Sequence, residues 1–163
     1  MPETSFVAHL VNRWAQLYSD QRAVATTVTF LHFGGMLLGG GFALVADQMA
    51  LRMSPDTRAE WTREITDFAR VHVWVLWGLG IALASGVLMT VADLHTYLGS
   101  VPFWTKMGLV LVLMLNGYAR VRAERVVQRG GPAGWVWLRR TSLASLVLWF
   151  AVVLVSTILN SSS

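Results

Sequence analysis

The stretch FLHFGGMLLGGGFALVADQ, residues 30–48, places one histidine and five glycines in an otherwise mostly apolar sequence. Glycine weakens a soluble helix, but it is frequent in helices that cross a bilayer, where small residues let neighbouring helices approach closely. A histidine in hydrocarbon is costly unless it has a partner. The stretch therefore predicts a membrane-spanning helix in which the histidine needs a polar partner.

The composition of the whole chain agrees with a membrane protein. Of its 163 residues, 55% are hydrophobic and 13% are charged, and the mean hydropathy is +0.53, whereas about 25% of the residues of an average soluble domain are charged. The sequence has no cysteine, which excludes disulfides, thiolate metal ligands and cysteine nucleophiles. It also contains no phosphate loop, serine elbow or metalloprotease histidine pair of the soluble enzymes.

Four apolar stretches are long enough to cross a bilayer as helices, which takes about 20 residues each. They lie at about 24–46, 71–94, 102–119 and 141–159. Residues 1–22 have two adjacent apolar rows at helical spacing and predict an amphipathic helix in the interface. We therefore predict a single membrane domain, residues 1–163, with an all-α fold: an antiparallel up-down four-helix bundle preceded by an interfacial helix.

The positions of the basic residues predict the orientation. Ten of the 13 lysines and arginines lie in the two connections 48–70 and 120–140, and cytoplasmic loops carry an excess of such residues. We expect both connections to be cytoplasmic and both termini to be on the outer side, in a bacterial inner membrane. The same rule explains the net charge of +4 without a nucleic-acid partner.

Small residues recur every four positions in the first two spans and predict a close contact between them. They are Gly35, Gly39 and Ala43 in the first span, and Gly78, Ala82 and Gly86 in the second. The other glycines of the first span, Gly34, Gly40 and Gly41, lie outside this row. They could leave room for a flat ligand or only loosen the helix.

Ionisable residues in or beside the spans are candidates for function, because each is costly in a membrane unless it is paired. The orientation groups five of them towards the outer side: His9, His32, Asp93, His95 and Lys106. Neutral imidazole is a ligand of haem iron and of copper. His32 and His95 lie on neighbouring antiparallel spans and could ligate one haem b from two faces. Lys106 would then pair with a haem propionate.

Two other interpretations stay open at this stage. The region could bind copper through His32, His95 and Asp93, with Met36, one turn after His32, adding a thioether ligand. The protein could also be a non-catalytic subunit or scaffold of a larger membrane complex, in which each histidine is simply hydrogen-bonded to a neighbouring helix or solvated at the interface.

Polar residues on the opposite side are predicted to hold the helices together. Asp47 is expected to pair with Arg70 or another basic residue of the connection 48–70. Asn116 is expected to form a hydrogen bond across helices.

Two segments resemble known families. Leu31-His32, followed by Gly39-Gly40-Gly41 and Arg52, is similar to the first helix of the copper-resistance D (CopD) family and of the HemJ-type protoporphyrinogen oxidases. The segment Phe103-Trp104-Thr105-Lys106, followed by LVLVLMLNGYAR, is similar to the lysine-led helix of both. The resemblance implies a four-helix relative in which His32 is the haem or metal residue and Lys106 is the partner of a propionate or a substrate carboxylate.

The chain departs from those families in two places. The third span has no histidine late in its length, and the fourth span has no ionisable residue within it, which does not favour protoporphyrinogen oxidation. We therefore predict a membrane b-type haem protein for electron transfer or haem-linked redox chemistry. The expected partners are the lipid bilayer and a redox partner or larger membrane complex, and homo-oligomers are compatible with the sequence.

Overall fold

A computed structural model describes the backbone of residues 3–52, 58–129 and 133–161, and the side chains of 6–52, 71–129, 133–159 and 161. All regular structure in these ranges is helical, as the sequence predicts. The helices are α1 (Glu3–Asp20), α2 (Arg22–Arg52), α3 (Arg58–Ala92), α4 (Leu94–Leu98), α5 (Val101–Gln128) and α6 (Ala133–Ser161).

Four of these helices contain segments that are long and apolar enough to cross a membrane. The segments are Arg22–Arg52, Val71–Ala92, Val101–Gln128 and Ala133–Leu159. They correspond to the four predicted spans in number and order, so the chain is an integral membrane protein built as a helical bundle.

The helices extend beyond the predicted spans into both connections. In the first connection α2 continues to Arg52 and α3 begins at Arg58; in the second, α5 continues to Gln128 and α6 begins at Ala133. The sequence-based bounds ended where arginines begin, but arginine is a good helix former, and a helix can continue past the hydrocarbon region. The extension of α5 matters below, because it brings a charged segment into the bundle.

The closest packing in the molecule is between α2 and α3, at glycines. A Cβ added at Gly35 would lie 2.6 Å from the backbone nitrogen of Ala82, and one at Gly39 would lie 3.1 Å from that of Leu79. Both distances are shorter than ordinary van der Waals contact, so the two backbones touch directly. Since Gly35 faces Ala82 while Gly39 faces Gly78, the helices are antiparallel. The predicted close contact is confirmed.

The helices α5 and α6 form a second antiparallel pair. Gly134 lies against Val127 near the connection, and the Asn116 side chain further along α5 donates to the carbonyl oxygen of Thr141 at 2.9 Å. The predicted bond of Asn116 across helices is confirmed.

The two pairs meet mainly through α2 and α6. The ring of Trp149 on α6 covers Gly40, where an added Cβ would lie 3.2 Å from ring carbons. In contrast, no α-carbon of α5 comes within 8 Å of one in α2 or α3 among the residues that the structure describes. The side chains of α5, rather than its backbone, therefore make its contacts with α2 and α3.

The helix α1 lies across the end of the bundle where α2 begins. Trp14 Nε1 donates to the carbonyl oxygen of Leu88 at 2.8 Å, and the Tyr18 hydroxyl is 3.5 Å from Thr29 Oγ1. A second apolar row on α1, formed by Phe6, Leu10 and Leu17, is exposed. This arrangement fits the amphipathic helix that the sequence predicts for this segment.

Candidate functional site

His32 lies in the contact between α2 and α3, and the small residues of α3 make room for its ring. His32 Nδ1 is 2.8 Å from the carbonyl oxygen of Ala82 and 3.3 Å from Ser85 Oγ. A Cβ added at Gly86 would come within 3.1 Å of His32 Cε1. The row of Ala82 and Gly86, which the sequence predicts as a helix contact, therefore also leaves the space that the imidazole occupies.

These contacts define the tautomer of the neutral His32 ring. A carbonyl oxygen can only accept a hydrogen bond, so Nδ1 carries the proton and donates it to Ala82. Ser85 donates its own hydroxyl proton to the Ile81 carbonyl at 2.6 Å and is thus free to accept from Nδ1 as well. The lone pair of a neutral ring is then on Nε2, the nitrogen that faces away from α3.

Lys106 reaches this bare nitrogen from α5. Its Nζ is 3.4 Å from His32 Nε2, and the ammonium can donate while the imidazole accepts. Lys106 follows Pro102 by about one turn of α5, near the same end of the bundle as α1. The structure therefore brings together two of the residues that the sequence selects, one from each helical pair.

The structure places the other predicted ligands, Asp93, His95 and Met36, outside the contact between His32 and Lys106. α3 ends at Ala92, so that Asp93 and His95 belong to the separate short helix α4. Asp93 caps α4, and its carboxylate accepts from the Thr96 backbone nitrogen at 3.2 Å. His95 is exposed, and Met36 is half-buried on α2.

No metal site with three acidic, histidine or cysteine ligands exists among the described residues. In particular, His32, His95 and Asp93 do not form such a group, and the copper interpretation has no assembled ligand set in this part of the chain.

The short helix α4 lies between α3 and α5. Tyr97 packs on Phe103 of α5, with 5.8 Å between the ring centroids. Burial raises the pKa of Tyr97, and the neighbouring Tyr18 and Asp93 raise it further. This hydroxyl therefore remains a neutral hydrogen-bonding group well beyond neutral pH, at the end of the bundle that carries His32.

A second polar cluster lies at the opposite end of the bundle and centres on Arg120. Its Nε is 2.9 Å from Asp47 Oδ1, and its Nη1 is 3.1 Å from Glu124 Oε1. Only 8% of the Arg120 side chain and 2% of the Asp47 side chain are exposed, and Arg120 Nη2 also donates to the carbonyl oxygen of Ala46 at 3.2 Å. One guanidinium thus forms ion pairs with two carboxylates inside the bundle.

The remaining long helices complete this Arg120 cluster. On α3, His72 Nε2 is 3.3 Å from Arg120 Nη1 and 3.7 Å from Glu124 Oε2. On α6, the buried hydroxyls of Ser142 and Ser145 lie beside Asp47. All four long helices therefore contribute a side chain to the cluster.

The structure pairs Asp47 with Arg120 of α5, a residue that the sequence prediction did not name. The prediction named Arg70 or another basic residue of the connection 48–70; the side chain of Arg70 lies outside the described residues, so that pairing stays a prediction. Arg120 looked like the first residue of a basic connection, and only the continuation of α5 turns it inward. Two signals in the sequence point to it: Glu124 follows at the i,i+4 spacing of a helical ion pair, and Lys106 precedes it by 14 residues, two heptads, on the same helix face.

The comparisons with known proteins give no match: no family model fits the chain, and no curated protein or solved structure is significantly similar to it.

Proposed function

We propose that the chain is a membrane b-type haem protein for electron transfer or haem-linked redox chemistry, in which His32 would ligate the iron. The observation that carries this proposal is the orientation of His32. Its Nδ1–H donates to the Ala82 carbonyl at 2.8 Å, which places the lone pair on Nε2, on the side of Lys106. Histidines that ligate metals commonly donate the other ring N–H to a carbonyl or carboxylate, because this bond fixes both tautomer and ring direction.

The residues around His32 fit a haem in three respects. The ring is held by backbone rather than by a mobile side chain, and Lys106 supplies a cation that can pair with a propionate once it leaves Nε2. The described α-carbons of α5 stay more than 8 Å from those of α2 and α3, so that α5 reaches His32 through the Lys106 side chain, which can move aside. His95 on α4 would be the second residue to ligate the iron.

A bound haem would supply one-electron chemistry, and the chain would set its properties. The hydrogen bond from His32 Nδ1–H to the Ala82 carbonyl would make the imidazole a stronger electron donor to a bound iron and would favour its oxidised form. The surrounding apolar helices exclude water and favour the form with less net charge, while Lys106 compensates one propionate.

The absorption spectrum of the purified protein tests the proposal. We expect a Soret band that shifts on reduction with dithionite when the chain is expressed with a supply of haem. The band should be lost in His32→Ala and retained in His9→Ala, the matched control on the exposed side of α1. Lys106→Met should retain less haem than the wild type, because one propionate would lose its partner.

A colourless wild-type preparation would refute the haem proposal. Metal analysis of the same sample then tests copper, which requires bound copper that falls on His32→Ala. A preparation with neither haem nor copper leaves the subunit interpretation, and co-purified membrane proteins would identify the partner.

We also infer that both termini face the outer side of a bacterial inner membrane, since ten of the 13 basic residues lie towards the Arg120 end. The chain has no cysteine, so single cysteines introduced near residue 12 and near residue 129 can be labelled with a membrane-impermeant maleimide in intact cells. Labelling near residue 12 alone supports this orientation, and labelling near residue 129 alone reverses it.

A further inference from the structure

Among the described residues, two pairs of polar side chains join α5 to α2, and they are spaced alike on both helices. Lys106 meets His32 at 3.4 Å, and Arg120 meets Asp47 at 2.9 Å. The contacts are 14 residues apart on α5 and 15 apart on α2, or about 21 and 22 Å at the rise of an α-helix. The two helices therefore run parallel and are held in one register at both ends.

The two contacts differ in how firmly they are held. Arg120 is buried and has partners on three other helices, including Asp47, Ser142 and His72. Lys106 has a long flexible stem and reaches His32 Nε2 at a distance near the limit of a hydrogen bond. Because the described backbones of α5 and α2 do not touch, a shift of α5 along α2 would be resisted by the Arg120 contact and by the packing of both helices on α6.

We propose that Arg120 is a positioning residue for the site at the other end of the bundle. Through Asp47 it fixes the register of α5 on α2, and this register places Lys106 Nζ at His32 Nε2. The role of that site as a haem site rests on the function proposed above, whereas the positioning itself does not depend on haem. The competing account is that α6, which packs on both α5 and α2, sets the register alone.

The chain offers a direct probe of Lys106, because it is the only lysine in the sequence. Acetylation by an amine-reactive ester, followed by mass spectrometry of the peptide around residue 106, measures how often this ammonium leaves its partner. The variant to compare is Asp47→Asn/Arg120→Gln, which removes the ion pair without changing the net charge. We expect acetylation of Lys106 to be about tenfold faster in this variant, the order of effect of losing a hydrogen bond to a charged group.

Asn116→Ala is the matched control. It lies one turn before Arg120 and removes a hydrogen bond from α5 to α6, but it leaves the contact between α5 and α2 in place. Its acetylation rate should equal that of the wild type. Should the double variant fail to fold, Arg120→Lys keeps the charge and loses the forked contacts, and we expect an intermediate rate.

Two results would overturn the positioning role: a folded double variant that is acetylated at the wild-type rate, or an Asn116→Ala rate that rises as much as that of the double variant. The haem content of the same samples is measured in parallel. A wild type without haem whose variants show the expected acetylation rates would refute the proposed function and leave the positioning role supported.

Discussion

Two adjacent glycines of α2 should respond to alanine in opposite directions. A Cβ at Gly35 would lie 2.6 Å from the backbone nitrogen of Ala82 and 2.8 Å from the carbonyl oxygen of Gly78. Both are backbone atoms that cannot rotate away. A Cβ at Gly34 would meet nothing within 4 Å.

The magnitude follows from these distances. Ordinary contact of a Cβ begins near 3.4 Å, so Gly35→Ala requires a local separation of α2 and α3 by about 0.8 Å (3.4 minus 2.6 Å). Such overpacking costs about 1–3 kcal/mol. Gly34→Ala creates no clash and gains helix propensity, a stabilisation of up to about 1 kcal/mol. The free energies of unfolding of the two variants should therefore differ by about 1–4 kcal/mol.

Thermal unfolding in detergent, followed by tryptophan fluorescence, measures the difference. The Tm of Gly35→Ala should fall and that of Gly34→Ala should equal or exceed the wild-type value. In Gly35→Ala the separation should also lengthen the bond from His32 to Ala82, so that less haem is retained. Equal Tm values for the two variants would show that the α2–α3 contact is not as close as described and would refute the reasoning.

Three further predictions concern the ends of the bundle. Arg120→Gln should cost about 3–5 kcal/mol, because it removes the buried guanidinium that pairs with both Asp47 and Glu124. Asp47→Asn should cost less, because Arg120 keeps Glu124 as a partner, and a double-mutant cycle of melting curves should show coupling between the two. Trp14→Phe removes the hydrogen bond from α1 to α3 and should cost about 1 kcal/mol, seen as faster limited proteolysis of α1 with little change in the Tm of the bundle. The pKa of Tyr97 is raised in the fold. Its contribution to the stability of the protein is therefore complete below the ordinary tyrosine pKa of about 10 and is lost as the pH rises through the higher folded value. Over that alkaline range, Tyr97→Phe should lose less stability than the wild type.

The sequence predicts those parts of the structure that depend on a local pattern of residue types along the chain. The four spans follow from apolar length, and the contact of Gly35 and Gly39 with α3 follows from small residues every four positions. These features depend on neighbours in the chain or on consecutive helices. The hydrogen bond of Asn116 was predicted for the same reason, since a buried amide in a span needs a partner.

The parts that the sequence does not predict depend on backbone atoms and on distant helices. The Ala82 carbonyl that orients His32 has no side-chain signature. Arg120 has the composition of a loop residue, and its burial depends on the continuation of α5 and on carboxylates 73 residues before it and four after it. The position of His95 on a separate helix follows from the end of α3 at Ala92, which apolar length alone did not predict.

The division of the bundle into two hairpins has a consequence for its assembly during synthesis. The contact of α2 with α3 at Gly35 and Gly39 involves no ion pair among the described residues, so this hairpin can close as soon as its second helix enters the membrane. Lys106 and Arg120 enter later, on α5, and their counterparts His32 and Asp47 are by then already in place on a finished surface. Lys106 and Arg120 can thus pair with residues that are already in the membrane. The free-energy cost of their unpaired charges in lipid lasts only until the second hairpin docks on the first.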